Sequence, residues 1–314
     1  MSDHPSLESI EAGEEFNLES ARAVVNGIAK DGDDLLAVYA VEVIKKHLKS
    51  KVELDLLLEA GLTDAMNKVL DAGHEGDVMT SRVPSMLELA AHALKFEGAF
   101  EKLDAECNVM KHLAQYTASA NQPVKASAFS ATADLALCTA NEGTILANAH
   151  YGTALENMTR AASLGGQSEV QVHALHCLAA TFTRLSEAGS ERAFQIVNEH
   201  VFNGERLLSR LVHLMKAAFE DVNTAAHAVL AGICHHAWGR KMLDSQPAFY
   251  EQATDRNSVR SYEVTKLRHK IASLYAANKD EGVDPVHRAR YAVMVEEGAF
   301  AKDVVPRVEV ATES

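Results

Sequence analysis

Proline and glycine are scarce in this chain. Six prolines and 17 glycines in 314 residues leave few points where a helix must stop. Aromatic residues make up 6%, with a single tryptophan, and no stretch shows convincing β-branched alternation. The nearest approach is VVPRVEV at 304–310. These shortages argue against a sheet-based fold. Cysteine is also sparse. Cys107, Cys138, Cys177 and Cys234 are separated by 31, 39 and 57 residues, so there is neither a CxxC pair nor a disulfide framework. Each lies within an apolar helical pattern, and buried reduced thiols point to the cytosol or nucleus.

Other absences narrow the function. No apolar run approaches the ~18 residues that a membrane-spanning helix requires. The opening MSDHPSLESIEAGEE lacks the basic start and apolar centre of a signal peptide. Residues 157–159, NMT, match a glycosylation sequon, but a mid-helix, cytosolic setting makes the match coincidental. The phosphate-binding patterns GxGxxG and GxxxxGK[ST], the HExxH zinc pattern and the GxSxG nucleophile turn are all missing. DGDD at 31–34 lacks the spacing and closing glutamate of a calcium loop. An enzyme is therefore not expected, nor a cofactor or a resident metal. Charge has one dominant sign. The net value is −14, and −7 of it falls in residues 1–36, where nine acids face only Arg22 and Lys30. Such a chain repels phosphate backbones, so nucleic acid is not an expected partner.

What is abundant is helix-forming sequence. Ala, Leu, Glu, Lys and Met recur throughout. LESARAVVNGIAK carries Leu18, Ala21, Val25 and Ile28 on one stripe, and LLAVYAVEVIKKHL carries Leu36, Tyr39, Val43 and Ile44. Asp33 or Asp34 can cap the second of these. The pattern then repeats as a helix, a turn and a second amphipathic helix. Aligned on Val38, Val83, Val124, Val172 and Ala225, the first helices recur at steps of 45, 41, 48 and 53 residues. That period predicts a HEAT/armadillo-like α-solenoid of stacked antiparallel helix pairs. The rival is an irregular all-α globule; recurrent pairing without intervening strands favours the array. The expected organisation is an acidic flexible arm over 1–16, the repeat domain over 17–300 and a short tail over 301–314.

Two histidine clusters need weighing. In ICHHAWGRKML (233–243), His235 and His236 point about 100° apart on a helix, so they cannot readily share one metal. The stretch reads as a helix end, with Gly239 as its cap and both histidines partly exposed. Trp238 is expected to pack across the turn on Phe249, with Pro247 fixing the start of the next helix. In VHALHC, His173, His176 and Cys177 fall at i, i+3 and i+4 and can share a face, but no fourth ligand or orienting carboxylate is local. Packing is the favoured role there. The remaining candidates are surface residues on the second helices: Lys111, His112 and Gln115; Asn148 and Tyr151; Arg206, Arg210 and His213. Stacked repeats offer such faces to protein partners.

The last 80 or so residues add a resemblance. AWGRKMLDSQPAFYEQATDR (237–256) supplies Trp238, Lys241, Met242, Pro247, Phe249, Asp255 and Arg256. YEVTKLRHKIASL follows at 262–274, and ARYAVMVEEGAFAKDVVPRVEVATES closes the chain at 289–314 with Glu297, Gly298, Phe300 and Val304. In order and spacing these pieces resemble the family of proteasome base-assembly chaperones, non-ATPase regulatory subunit five. Where that family has Pro-Gly-Phe and Gly-Pro, this chain has Pro-Ala-Phe and Gly298-Ala299. The chain is shorter than typical members, so several repeats are expected to be absent. The resemblance implies a non-catalytic, monomeric chaperone. It would bind an ATPase subunit of the regulatory-particle base, chiefly through the C-terminal domain, and leave before the mature particle forms. The alternative is a HEAT-repeat scaffold or adaptor for another protein partner.

Overall fold

The computed structural model describes residues 7–11, 16–30, 33–73, 82–164, 169–202, 204–256 and 261–301. It is an all-α, armadillo/HEAT-like solenoid. Chain contacts divide it into two compact units, Met1–Arg210 and Leu211–Ser314, where the sequence suggested one continuous repeat domain.

The first unit opens with α1 (Leu7–Glu11), α2 (Leu18–Ala29) and α3 (Asp34–His47). Part of the expected flexible arm is thereby corrected. Within α1, Ile10 is fully buried, and Tyr39 of α3 donates to the Glu11 carboxylate. Leu7 of the same turn lies beside Gly27 of α2, so two apolar side chains seat it. Next come α4 (Lys51–Glu59), α5 (Leu62–Ala72), α6 (Arg82–Ala93), α7 (Ala99–Cys107), α8 (Val109–Thr117) and α9 (Gln122–Asp134). Two 3-10 turns then lead to α10 (Glu142–Ala147), α11 (Ala149–Ser163), α12 (Glu169–Arg184) and α13 (Glu187–Asn198).

Helices α3, α6, α9 and α12 pack in succession, and the anchors Val38, Val83, Val124 and Val172 lie on them. A parallel row runs through α2, α5, α8 and α11. The expected pairs are in fact triplets, because each second helix is broken. Gly61 (φ +92°) separates α4 from α5. Asn108 (φ +48°), the one non-glycine residue with positive φ among those described, separates α7 from α8. Asn148 divides α10 from α11, accepting from the amides of His150 and Tyr151 at 2.9 and 3.4 Å. Asparagine tolerates left-handed backbone and caps helices well, so periodicity continues across a joint that the chain itself does not. Three helices per unit is the armadillo form of the repeat.

A second periodicity appears only in three dimensions. The last carbonyls of a helix have no partner within it. Here side chains of the next repeat reach back to them. In the second row Lys68 donates to Ala29 O (2.9 Å), Tyr116 to Leu70 O, Asn157 to Ala114 O (3.3 Å) and Arg210 to Ser163 O (3.1 Å). Along the first row His92 meets Leu48 O (3.1 Å), Asn141 Leu94 O (3.2 Å) and Arg184 Ala133 O (3.3 Å). Each such bond contributes on the order of 1 kcal/mol, while a buried carbonyl left bare costs about 1–3.

A two-residue ribbon, β1 (Val201–Phe202) against β2 (Glu205–Arg206), follows α13. It interrupts a stretch that the sequence presents as helix, at a turn containing Gly204 (φ +83°). The division between units falls inside α14 (Leu207–Leu214). The second unit continues with α15 (Glu220–Ile233), α16 (Ala237–Asp244), α17 (Pro247–Thr254), α18 (Tyr262–Ala277) and α19 (Pro285–Glu297). The anchor Ala225 lies on α15. Helix α18 packs on α15, α17 and α19, around Phe249, Tyr275 and Tyr291, all essentially buried. Residues 302–314, including VVPRVEV and Val304, lie outside the described residues.

Candidate protein-docking surface

The sequence-selected surface residues divide into two kinds. Lys111 and Gln115 stand one turn apart on α8, both exposed, so they share a face. Arg206 is exposed on the ribbon. His213 is exposed on α14, in the second unit. The others are joints. Tyr151 is fully buried and its hydroxyl donates to Thr132 O at 3.2 Å, so it is a core residue and not a docking residue. Asn148 caps α11 and donates to Asp104 Oδ2 at 3.2 Å. Arg210 spends its guanidinium on Ser163 O and, at 3.7 Å, on Glu205. His112 is buried, 3.5 Å from Asp71 and stacked on Tyr116.

Exposed positions that periodicity could have supplied are Asp64, Lys68 and Asp71 on α5, and His150, Thr153 and Arg160 on α11. Together with Lys111 and Gln115 they give the second row of the first unit a polar face of mixed sign. Such a face offers hydrogen bonds and charges to a polypeptide.

The His173, His176 and Cys177 trio is not arranged as a ligand set. Nε2 of His173 lies 3.0 Å from Ala126 O and 2.9 Å from Ser130 Oγ. A carbonyl only accepts, so that nitrogen carries the proton and has no lone pair for a metal. His176 is exposed while Cys177 is buried. Burial pushes the thiol of Cys177 up to about 11, and those of Cys107, Cys138 and Cys234 up to about 12. All four therefore stay as thiols at neutral pH. Among the described residues no group of three or more His, Cys, Asp or Glu is placed to hold a metal, and no helix is long and apolar enough to cross a membrane.

ICHHAWGRKML is a joint built on a residue that the sequence reading passed over. Helix α15 stops at Ile233, and His236 is the N-cap of α16. Trp238 therefore begins a helix where it was expected to end one. It stacks on His236, with ring centroids 6.1 Å apart, while Phe249 packs on Tyr275 at 6.5 Å. His236 is buried, not partly exposed. Gly239 lies inside α16 and is no cap; a Cβ there would collide with the Ile233 carbonyl. Pro247 occupies the first turn of α17. The centre is Arg240, only 4% exposed. It donates to the carbonyls of Cys234 (2.7 Å) and His235 (3.0 Å), and pairs with Asp280 through two bonds, one at 3.0 Å. The hydrogen bond from Arg240, more than any other influence, holds the Asp280 carboxyl below its usual range. Partial desolvation, with help from Lys270, His236 and Arg240, lowers the pKa of His235. An isolated arginine in a sequence carries no mark of burial, so only its proximity to the helix break could have hinted at this role.

Residues 24–313 match the proteasome non-ATPase 26S subunit family. The chain belongs to that family. No curated protein matches this family member in sequence. Several solved structures share its fold. A designed armadillo repeat protein, 19% identical, covers 81% of this chain and 99% of its own with a TM-score of 0.54. A computationally designed armadillo repeat protein for modular peptide recognition is also 19% identical, with the same coverages and a TM-score of 0.52. An engineered protein, 16% identical, covers 81% of this chain and 97% of its own with a TM-score of 0.56. At these identities the likeness concerns the fold alone.

Proposed function

We propose that this proteasome-family chain is a non-catalytic chaperone for assembly of the regulatory-particle base. In this reading it acts as a monomer in the cytosol or nucleus and holds an ATPase subunit by its C-terminal domain. The observation that carries the reading is the family match over residues 24–313. The order of motifs from Ala237 to the C-terminus supports the narrower assignment. So does a repeat fold whose exposed polar faces suit a protein partner. The unreactive cysteines and the proton on His173 Nε2 fit a protein that binds without chemistry. Affinity capture from cell lysate, read by mass spectrometry, should return base ATPases without the mature core particle. Recovery of no ATPase subunit would falsify the reading.

A second reading, a repeat scaffold for an extended peptide of another partner, is favoured by the neighbour designed for peptide recognition. Titration with purified ATPase C-terminal domains separates the two. Saturable binding supports the chaperone. Its absence at tens of micromolar, a free energy of about −6 kcal/mol, favours the scaffold.

A further inference from the structure

Helix α3 has two working sides. One faces α6: Lys45 pairs with Glu88 at 2.8 Å, Asp34 receives Arg82, and Leu48 O meets His92. Half a turn round the helix, Leu35, Tyr39, Val43 and Lys46 form a second stripe at spacings of four, four and three. In a stacked array this is where a preceding repeat packs. Here the occupant is α1.

The contact is specific. Ile10 is fully buried, Leu7 lies beside Gly27, and α1 packs on both α2 and α3. Tyr39 donates to the Glu11 carboxylate, and Lys46 Nζ donates to Glu11 O at 2.8 Å. Farther along α3, the Phe16 ring stacks on His47 with centroids 5.2 Å apart. The Lys46 bond is the array's own joint, because His92 binds Leu48 O in the same way one repeat later. A five-residue turn thus stands in for a repeat helix.

Two features mark α1 as a replaceable occupant. Five residues are too few to hold a helix alone, so α1 is helical only while seated. It is also too small for the face, since Leu35, one turn before Tyr39, remains 81% exposed. The chemistry that the face accepts is written in α1. Two aliphatic side chains three apart, Leu7 and Ile10, precede a carboxylate held by a tyrosine hydroxyl. Residues 1–16 hold five acids and neither lysine nor arginine.

We propose that this outer face of α3 is a binding site for an acidic amphipathic helix of a protein partner, and that α1 is a displaceable cap that holds it closed. Aliphatic side chains of the incoming helix replace Leu7 and Ile10. Its carboxylate takes the hydroxyl of Tyr39 beside the ammonium of Lys46, and its extra length covers Leu35. A tethered cap competes at high effective concentration, so only a helix with more contacts than α1 opens the site. A second copy's α1 brings the same contacts without the tether and does not qualify. The inference is independent of the chaperone reading above.

The test titrates a fluorescein-labelled peptide of sequence 5–17 against the full chain, read by anisotropy. Chains carrying Ile10→Asp or Glu11→Lys have loosened caps. Both should bind the peptide saturably, at least about 10-fold tighter than wild type. Adding Lys46→Glu to Ile10→Asp should weaken binding by about 5- to 10-fold, with the gap narrowing at high salt. A peptide carrying Ile10→Asp should not bind. Glu11→Lys keeps both aliphatic side chains of α1, so it reports even if Ile10→Asp melts early. Equal binding to wild type and to both loosened chains, or binding to none of them, overturns the proposal and leaves α1 a fixed end cap. Binding that ignores Lys46→Glu overturns the placement of the site.

Discussion

The two units are held together differently. In the first, the joints are many, mostly single, and alike: a lysine, tyrosine, asparagine or arginine of one repeat reaches a helix-end carbonyl of the repeat before. In the second, the joints are few and each serves several elements. Arg240 binds two carbonyls and Asp280, and Tyr275 donates to Arg240 O at 2.7 Å. Arg268, buried, donates to Ala253 O and Asp255 O behind α17. Asp244 receives both the Asp284 amide (2.7 Å) and His287 Nδ1 (2.9 Å). Repetition spreads stability over near-equivalent contacts, as expected for arrays that bind mainly to neighbours. Irregular, short helices need concentrated anchors. The difference teaches where a single substitution should matter.

The only tryptophan lies in the second unit, so its fluorescence follows that unit while circular dichroism follows both. This gives a direct way to break the comparison. Arg240→Ala leaves Asp280 and two carbonyls without their donor and should cost the second unit about 3–5 kcal/mol, read as an early fluorescence transition in urea. A coincident loss in the whole circular dichroism signal would show that the units do not differ in this way. Phe249→Ala empties a fully buried site and should cost about 3–5 kcal/mol by the same reading. Trp238→Ala, at a half-buried position, should cost clearly less in a circular dichroism melt; the reverse order would restore Trp238 as the centre.

Acid should act on the second unit through Asp280. Its pKa is depressed in the folded state, so its contribution is complete above the unfolded value of about 3.9 and is lost as pH falls through the lower folded value. The melting-temperature gap between wild type and Asp280→Asn should therefore be constant from pH 7 to about 5 and shrink below about 4. A gap at pH 3 as large as at pH 7 would remove the charge from the explanation. Asn157→Ala, which deletes bonds to Ala114 O and Thr117 Oγ1 in the first unit, should cost only about 1–2 kcal/mol and leave the fluorescence transition in place. The smallest effect belongs to His235→Ala. That side chain is exposed, and stability should change by about 0.5 kcal/mol or less in thermal melts.

The repeat was legible in the sequence because burial imposes a period on apolar residues. Val38, Val83, Val124 and Val172 mark it without any structure. The breaks inside the second helices were not legible. Asn108 and Asn148 interrupt the backbone while leaving the apolar stripe nearly in phase, so the pattern continues through them. Polarity also misled. Tyr151 and Arg210 carry groups that bind partners well, and the same groups satisfy helix ends inside the protein. Residue type states what a side chain can donate, but the recipient is set by packing. Arg240 is the extreme case, an ordinary arginine by sequence and a buried hub by position.

The joints between repeats also run one way. Apart from Asn67, which donates forward to Glu106 O, the side chains named here that tie helix ends in the first unit reach back toward the N-terminus. A ribosome delivers the N-terminus first. Each repeat therefore emerges with its helix ends still bound to water and is completed only when its successor has been synthesised. A nascent chain halted after any repeat should carry one unfinished edge, always the most recently made, and resistance to protease should advance along the chain one repeat behind synthesis.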